Sequence, residues 1–152
     1  MQRPPPPELA DFLAPFPDEV VGVALGLRAG VLEVIPHAHE IVWDATNAVS
    51  IVHGASERWT TDGITHIAIY ARHVNLGFND GATLDDPRRV LIGTGSRIRH
   101  HSFHQLVDVT RADWLPVYVM AAVRQAGHDR SLGDGRTTVR RSRGPKRRPG
   151  SS

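Results

Sequence analysis

The chain has 152 residues, of which 40% are hydrophobic, and this predicts one domain with a core large enough to fold without disulfides or metal. It contains no cysteine, which excludes disulfides, cysteine-ligated zinc or iron–sulfur clusters, and thiol nucleophiles. Its net charge of +2 is unevenly distributed, since residues 1–129 carry about −5 and residues 130–152 about +7. The basic character therefore belongs to the C-terminal segment and does not predict a nucleic-acid-binding body.

No segment has the properties of a membrane span or a secretion signal. The longest apolar stretch, residues 20–35, is interrupted by Arg28 and Glu33 and is shorter than the roughly 18 to 20 residues that cross a bilayer. The chain begins with Met1, Gln2 and Arg3 followed by prolines, without the apolar segment of a signal peptide. We therefore expect a cytoplasmic protein with no membrane contact, and the oligomeric state stays open.

The N-terminal third predicts a leader and helices. Residues 1–7 contain four consecutive prolines, which lack backbone donors and favour an extended proline-rich leader. Residues 8–13 indicate one or two helical turns. Asp18 stands at an N-cap position before apolar residues with a period of 3.6, and this pattern predicts a helix over residues 18–35 that ends at Pro36.

From residue 40 onward the apolar residues alternate with a period of two, which is typical of strands. Residues 41–44 and 49–51 predict a hairpin, residues 64–70 and 74–78 predict two antiparallel strands, and residues 97–103 predict a fifth strand. A final helix is expected to begin after Thr110 or Asp113, with Pro116 in its first turn, and to end near Gly127. This order predicts an α+β fold, an antiparallel sheet of about five strands flanked by an N-terminal and a C-terminal helix.

The predicted organisation has three parts. Residues 1–7 are the leader and residues 8–127 form the folded domain. Residues 128–152 lack large apolar side chains and are rich in Arg, Gly, Ser, Thr and Pro, so we expect a disordered Arg-rich tail. The eight basic residues in this tail could contact a polyanion such as nucleic acid or heparin, in a manner sensitive to salt.

Several spaced motifs resemble the YdhG-like family of small bacterial domains of unknown function. These motifs are the runs at residues 44–49, 73–78, 81–87 and 93–100, and the resemblance covers about residues 9–126. It implies a compact α+β domain in the bacterial cytoplasm. One branch of the family is described as frataxin-like, with iron-chaperone activity, and this implies Fe(II) as a candidate metal; Ser96 departs from the family pattern, where Lys is expected.

Three groups of residues are candidates for a binding site. The metal candidates, His37, His39, Glu40 and Asp44, mix imidazole and carboxylate ligands of the kind that Fe(II) and Zn(II) accept; the alternative is a helix-to-strand loop, where polar residues are expected anyway. The anion-binding candidates are Gly93, Thr94, Gly95, Ser96, Arg97 and Arg99, whose backbone N–H groups and guanidinium groups could surround an anion, with a tight glycine-containing connection as the alternative. The pocket candidates are His73, Asn75 and His100.

No nucleophile elbow, HExxH helix, dinucleotide fingerprint or phosphate-binding loop is present in the sequence. The predicted function is a small ligand-binding domain, and the resemblance to the YdhG-like family implies a metallochaperone-like role as one form of it. A partner-binding accessory protein and an enzyme without a recognised motif are the alternatives.

Overall fold

The structure is a computed structural model that describes residues 2–150. The helix predicted after Asp18 is its longest helix. Helix α1 spans Pro7–Leu13 and helix α2 spans Asp18–Val34, and the chain leaves α2 just before Pro36 as predicted. The apolar period of α2 buries one side of the helix; the buried apolar residues are Val20, Val23, Ala24, Leu27, Val31 and Leu32. Met1 of the predicted leader lies outside the described residues.

The predicted antiparallel strands are confirmed. They are β1 (His39–Asp44), β2 (Val49–Gly54), β3 (Gly63–Ile69), β4 (Val74–Phe78) and β5 (Arg99–Phe103). Each of β2 to β5 pairs antiparallel with the strand before it. A short helix, α3 (Trp59–Asp62), precedes β3, and a 3-10 helix, Gly81–Thr83, follows β4.

A sixth strand lies in the segment for which the sequence predicts a disordered tail. Strand β6 (Thr137–Arg141) pairs parallel with β1, so that the sheet is mixed and has the order β5-β4-β3-β2-β1-β6. The prediction of a disordered tail is therefore wrong for these residues. An edge strand is held mainly by backbone hydrogen bonds to one neighbour. Four of the five residues of β6 have polar side chains and the fifth is Val139, so no hydrophobic run marks the strand. Ser151 and Ser152 lie outside the described residues.

The C-terminal helical region consists of two helices. Helix α4 (Leu106–Arg111) begins after Gln105, whose backbone N–H donates to the Asp108 carboxylate (2.9 Å), and helix α5 (Leu115–Gln125) follows. Pro116 lies in the first turn of α5, as predicted, but Trp114 occupies the N-cap position and Thr110 lies within α4. No helix within residues 2–150 has the length and hydropathy that a membrane span requires.

The two faces of the sheet differ. Helices α2 and α5 pack on one face, where Val42, Ile51, Ile67 and Leu76 form a row that runs across four strands into the core. Side chains of alternate residues point to the opposite face. On that face lie two parallel rows, one of Ile41, Val52, His66, Gly77 and His100, and the other of Trp43, Ser50, Ala68, Asn75 and Ser102. We call this second face the helix-free face, because neither of the long helices α2 and α5 packs on it.

The proline-rich leader contacts the folded body. The guanidinium group of Arg3 donates hydrogen bonds to the carbonyl oxygens of Pro36 (3.1 Å) and Ala38 (2.7 Å). The carbonyl oxygens of Arg3 and Pro4 accept hydrogen bonds from Arg28 in α2. Residues 2–6 of the predicted leader lie outside any helix or strand, against the end of α2 and the start of β1, whereas Pro7 is the first residue of α1.

Candidate functional site

A cavity of about 400 Å³ opens on the helix-free face of the sheet. Its floor comes from strands β1, β2 and β3, its sides from α3 and from the loop before β5. The lining residues are Trp43, Ala45, Ser50, Val52, Trp59, Thr60, His66, Asn79, Arg97 and Ile98. We call this space the open-face cavity. Ligand sites in proteins commonly have volumes of about 300–1,000 Å³, and this volume falls at the lower end of that range.

Two tryptophans form the aromatic part of the wall. The rings of Trp43 and Trp59 meet edge to face, with centroids 5.7 Å apart and an interplanar angle of 68°. Trp43 is held in place because its indole N–H donates to Ser142 Oγ (3.1 Å) and the Arg140 guanidinium lies 5.6 Å from its ring centroid. Trp59 is 39% exposed, which leaves a large aromatic surface accessible at the mouth of the cavity.

The polar part of the wall is a short hydrogen-bond chain from His66 to Asn79 and on to the backbone of Trp59. Nδ1 of His66 lies 2.8 Å from Oδ1 of Asn79, and Nδ2 of Asn79 donates to the carbonyl oxygen of Trp59 (3.2 Å). Asn79 is buried. The chain therefore joins β3, the end of β4 and the short helix α3 at one side of the cavity.

Gly63 and Gly77 have no side chains and therefore leave room for the hydrogen-bonded side chains of Asn79 and His66. A Cβ atom at Gly77 would overlap the His66 ring at Nε2, and a Cβ atom at Gly63 would overlap Nδ2 of Asn79. Gly77 is the direct neighbour of His66 in the β3–β4 register, so the imidazole lies over the glycine backbone. A side chain at either glycine would displace the groups that line the cavity.

His66 is neutral at physiological pH because of its surroundings. Burial lowers its pKa below the usual value of His, the hydrogen bond to Asn79 raises it, and the neighbouring His100 lowers it further. His100 lies on the other side of Gly77 in the sheet register, and burial followed by the nearby His73 and His101 lowers its pKa as well. The cavity therefore presents an uncharged imidazole.

The three residues predicted to form a pocket do not line the open-face cavity. Asn75 and His100 lie on the helix-free face, but Asn75 accepts a hydrogen bond from Ser102 Oγ (2.7 Å) within the sheet. His73 lies at the β3–β4 turn, where its ring stacks on Tyr70 with centroids 4.8 Å apart. The imidazole that the structure places in the cavity is that of His66.

The four predicted metal ligands are not brought together. His39 and Glu40 are consecutive in β1, so their side chains point to opposite faces of the sheet. The imidazole of His39 contacts Asp134 Oδ1 (2.9 Å) and Thr138 Oγ1 (3.2 Å), His37 is exposed, and Asp44 forms ion pairs with Lys146 and Arg148. Within residues 2–150 no group of three His, Asp or Glu side chains has an arrangement that could hold a metal ion.

Glu40 is instead the centre of a buried ionic network. Its carboxylate accepts hydrogen bonds from Arg28 Nε (2.7 Å) and Nη2 (2.9 Å), His53 Nε2 (2.8 Å) and Thr137 Oγ1 (2.9 Å). Burial raises the pKa of Glu40, but the hydrogen bonds and charges of His53 and Arg28 outweigh it and hold that pKa well below the usual range. The network joins α2, β1, β2 and β6, so its role is structural.

The two arginines of the predicted anion-binding segment form ion pairs and hydrogen bonds with other groups of the protein. The Arg97 guanidinium forms an ion pair with Asp80 (2.9 Å), and Nη1 of Arg99 donates to the carbonyl oxygens of Gly95 (2.6 Å) and Ile98 (2.8 Å). Gly93 has a φ of +135°, a conformation that requires glycine in a tight connection. The alternative interpretation, a structural connection between strands, therefore accounts for these residues, and Arg97 and Ile98 also line the open-face cavity.

The basic C-terminal segment is also engaged by the body. Arg140 contacts the Trp43 ring, the Arg141 guanidinium lies 5.2 Å from the centroid of the Phe12 ring, and Lys146 and Arg148 pair with Asp44. The predicted polyanion contact through residues 130–152 stays a prediction. These contacts hold part of its positive charge against the sheet.

Apart from Arg97, which was a candidate for anion binding, the sequence analysis did not identify the residues of the cavity as a site. The alternation within residues 64–70 places His66 on the face opposite Ile67 and Ile69, and the alternation of residues 41–44 separates Trp43 from Val42. Trp59 and Asn79 lie outside the alternating segments, and only the sheet order brings them beside His66. Spacing along the chain therefore contained no signal for this group of side chains.

Comparisons with protein family models, with curated protein sequences and with solved structures gave no match. The resemblance to the YdhG-like family stays a prediction that rests on the sequence motifs alone.

Proposed function

We propose that this protein is a cytoplasmic domain that binds a small organic molecule in the open-face cavity. The observation that carries the proposal is a cavity of about 400 Å³ with two tryptophans and an uncharged imidazole in its wall. Small-molecule sites are usually concave, mostly apolar and aromatic, and supplied with a few oriented polar groups. The open-face cavity has each of these properties.

The chemistry of the wall favours a planar molecule with one or two rings. Val52 and Ile98 supply aliphatic surface, and the Trp59 ring supplies an accessible aromatic one. Aromatic rings gain from edge-to-face or offset contact in addition to the burial of apolar area. The guanidinium of Arg97 is neutralised by Asp80, so charge attraction contributes less to this site than ring contact does.

The metallochaperone alternative has weaker support. The resemblance to the YdhG-like family, with the frataxin-like fold and iron-chaperone activity that it implies, stays a prediction. Glu40 would have to leave Arg28, His53 and Thr137 before it could bind Fe(II). Anaerobic titration with Fe(II), on protein without a histidine tag, is therefore a useful comparison with the organic ligands.

The proposal is tested by a screen of one- and two-ring fragments against ¹⁵N-labelled protein. Ligands of the cavity should shift the indole N–H resonances of Trp43 and Trp59 and leave that of Trp114 unchanged, since Trp114 packs against Phe103 and Tyr118 in the core. Saturable shifts of the first two signals support the proposal. Their absence across the library, or shifts confined to other residues, would contradict it.

A pair of variants locates the binding site. Ser50→Trp places a large ring in the cavity and should abolish fragment binding. Ser102→Trp is the matched control, because Ser102 lies on the same face of the sheet but does not line the cavity. Unchanged affinity in Ser50→Trp would place the ligand elsewhere, and this would refute the assignment of the cavity.

A further inference from the structure

The hydrogen-bond chain beside the cavity determines which nitrogen of His66 carries the proton. A carbonyl oxygen only accepts hydrogen bonds, so the group of Asn79 that faces the Trp59 carbonyl must be its amide nitrogen. The amide oxygen of Asn79 therefore faces His66. Because that oxygen also only accepts, Nδ1 of His66 must donate.

A neutral imidazole has one protonated nitrogen, and the other carries a lone pair. With the proton on Nδ1, Nε2 of His66 is a hydrogen-bond acceptor. Among the residues that the structure describes, Nε2 has no hydrogen-bond partner, and the ring is held over Gly77 in a position where it lines the open-face cavity. The wall of the cavity therefore includes an imidazole whose Nε2 is an acceptor that no described residue satisfies.

We propose that the open-face cavity selects planar ligands that carry an N–H or O–H donor, and that Nε2 of His66 accepts the hydrogen bond from that donor. This inference rests on the proposed function and adds the chemical class of the ligand. The two parts of the wall have separate roles: Trp43 and Trp59 contact the ring, and His66 distinguishes a ring with a donor from one without. Asn79 is a positioning residue that acts through His66.

Burial of an acceptor without its donor is costly, and this is the physical basis of the selection. A ligand without a donor removes water from Nε2 and replaces it with nothing, whereas a ligand with a donor restores the hydrogen bond. Sites built around a hydrogen bond discriminate against analogues that lack it more strongly than apolar pockets discriminate by size. For one partly accessible acceptor we expect a preference of about tenfold.

Indole and benzofuran form a suitable pair of probes. They have nearly the same shape, and the N–H of indole is replaced by an oxygen in benzofuran. We expect the protein to bind indole about tenfold more tightly than benzofuran in NMR or calorimetric titrations. Equal affinities for the two would overturn the inference and leave the proposed function standing, whereas binding of neither would contradict both.

Two ring variants assign the preference to one side chain. His66→Phe keeps an aromatic ring over Gly77 but has no acceptor, so the ratio of the two affinities should fall to about one. His100→Phe is the matched control, since it changes the imidazole on the other side of Gly77, outside the cavity lining. A tenfold preference that persists in His66→Phe would overturn the inference.

A direct measurement on the intact protein does not depend on how well the variants fold. Long-range ¹H–¹⁵N spectra of the imidazole rings distinguish a protonated from an unprotonated nitrogen. Near pH 7 we expect His66 to have a protonated Nδ1 and an unprotonated Nε2, and the Nε2 resonance should move when indole is added and stay in place with benzofuran. The opposite tautomer would overturn the inference. Asn79→Ala, which removes the acceptor for Nδ1, should yield a mixture of tautomers and reduce the preference for indole.

Discussion

Replacement of Arg28 by Met should break the buried network around Glu40 and destabilise the protein strongly. Arg28 is 4% exposed and Glu40 is 0% exposed, so the carboxylate would remain out of water without its main cationic partner. The carbonyl oxygens of Arg3 and Pro4 would also lose their donors. Removal of one partner of a buried ion pair costs about 3–5 kcal/mol, because the remaining charge is uncompensated.

The assay is urea unfolding at pH 7, followed by circular dichroism. With a denaturant slope of about 2 kcal/mol per molar urea, a loss of about 4 kcal/mol lowers the midpoint by about 2 M. Arg124→Met is the matched control: Arg124 is exposed on α5, and such a substitution should change the free energy of unfolding by no more than about 0.5 kcal/mol. A midpoint shift for Arg28→Met as small as that of the control would refute the reasoning.

The pH dependence of stability provides a second measurement on the same network. The pKa of Glu40 is lower in the folded than in the unfolded protein, so its contribution to stability is fully present above the unfolded pKa of about 4.3 and is lost as pH falls below it. In Arg28→Met this pKa rises. Protonation of Glu40 lowers the stability of the parent protein between about pH 5 and 3. This loss should therefore be smaller in the variant. Identical pH profiles would contradict the contribution of Arg28, beside that of His53, to the low pKa of Glu40.

Three further predictions concern the C-terminal strand and the cavity. Deletion of residues 130–152 should abolish or strongly weaken cooperative thermal unfolding, because it removes β6 and the buried Leu132, and an unchanged melting temperature would show that the strand is dispensable. Gly77→Ala should lower the free energy of unfolding by about 1–3 kcal/mol because it displaces His66, whereas Gly22→Ala, with open space at its Cβ, should be neutral or stabilising by up to about 1 kcal/mol in the same urea assay. Indole affinity should fall only below the ordinary pKa range of His, since the pKa of His66 is lowered by burial and by His100 and protonation turns Nε2 into a donor; a fall in affinity that begins above the ordinary pKa of His would contradict this.

The local pattern of the sequence determined the elements that depend on periodicity. The 3.6-residue period after Asp18 and the proline at position 36 define α2, and the alternation within residues 40–78 defines the strands β1 to β4. These elements were predictable because the side chains of a helix or strand point to its buried face with a fixed period. That period can be read from the residues of the element alone. The α+β class and the antiparallel pairing of five strands followed from them.

Strand β6 depended on a partner far away in the chain. Its five residues, Thr137–Arg141, have half-buried or exposed side chains, and the strand exists because the backbone of β1 offers unpaired hydrogen-bonding groups at the sheet edge. The hydroxyl of Thr137 adds a bond to Glu40. Neither partner can be inferred from residues 128–152 alone, and this is why their polar composition predicted disorder.

The role of each candidate site residue was likewise decided by tertiary contacts. Glu40 and its neighbour His39 resemble metal ligands in the sequence, but the sheet directs them to opposite faces and α2 brings Arg28 onto Glu40. His66 became a candidate only when the fold placed Trp59 and Asn79 beside it. The sequence by itself determined which side chains were available and on which strand faces they lie, whereas the charge state, hydrogen-bond partners and accessibility of each depend on residues distant in the chain, and only the tertiary structure could decide them.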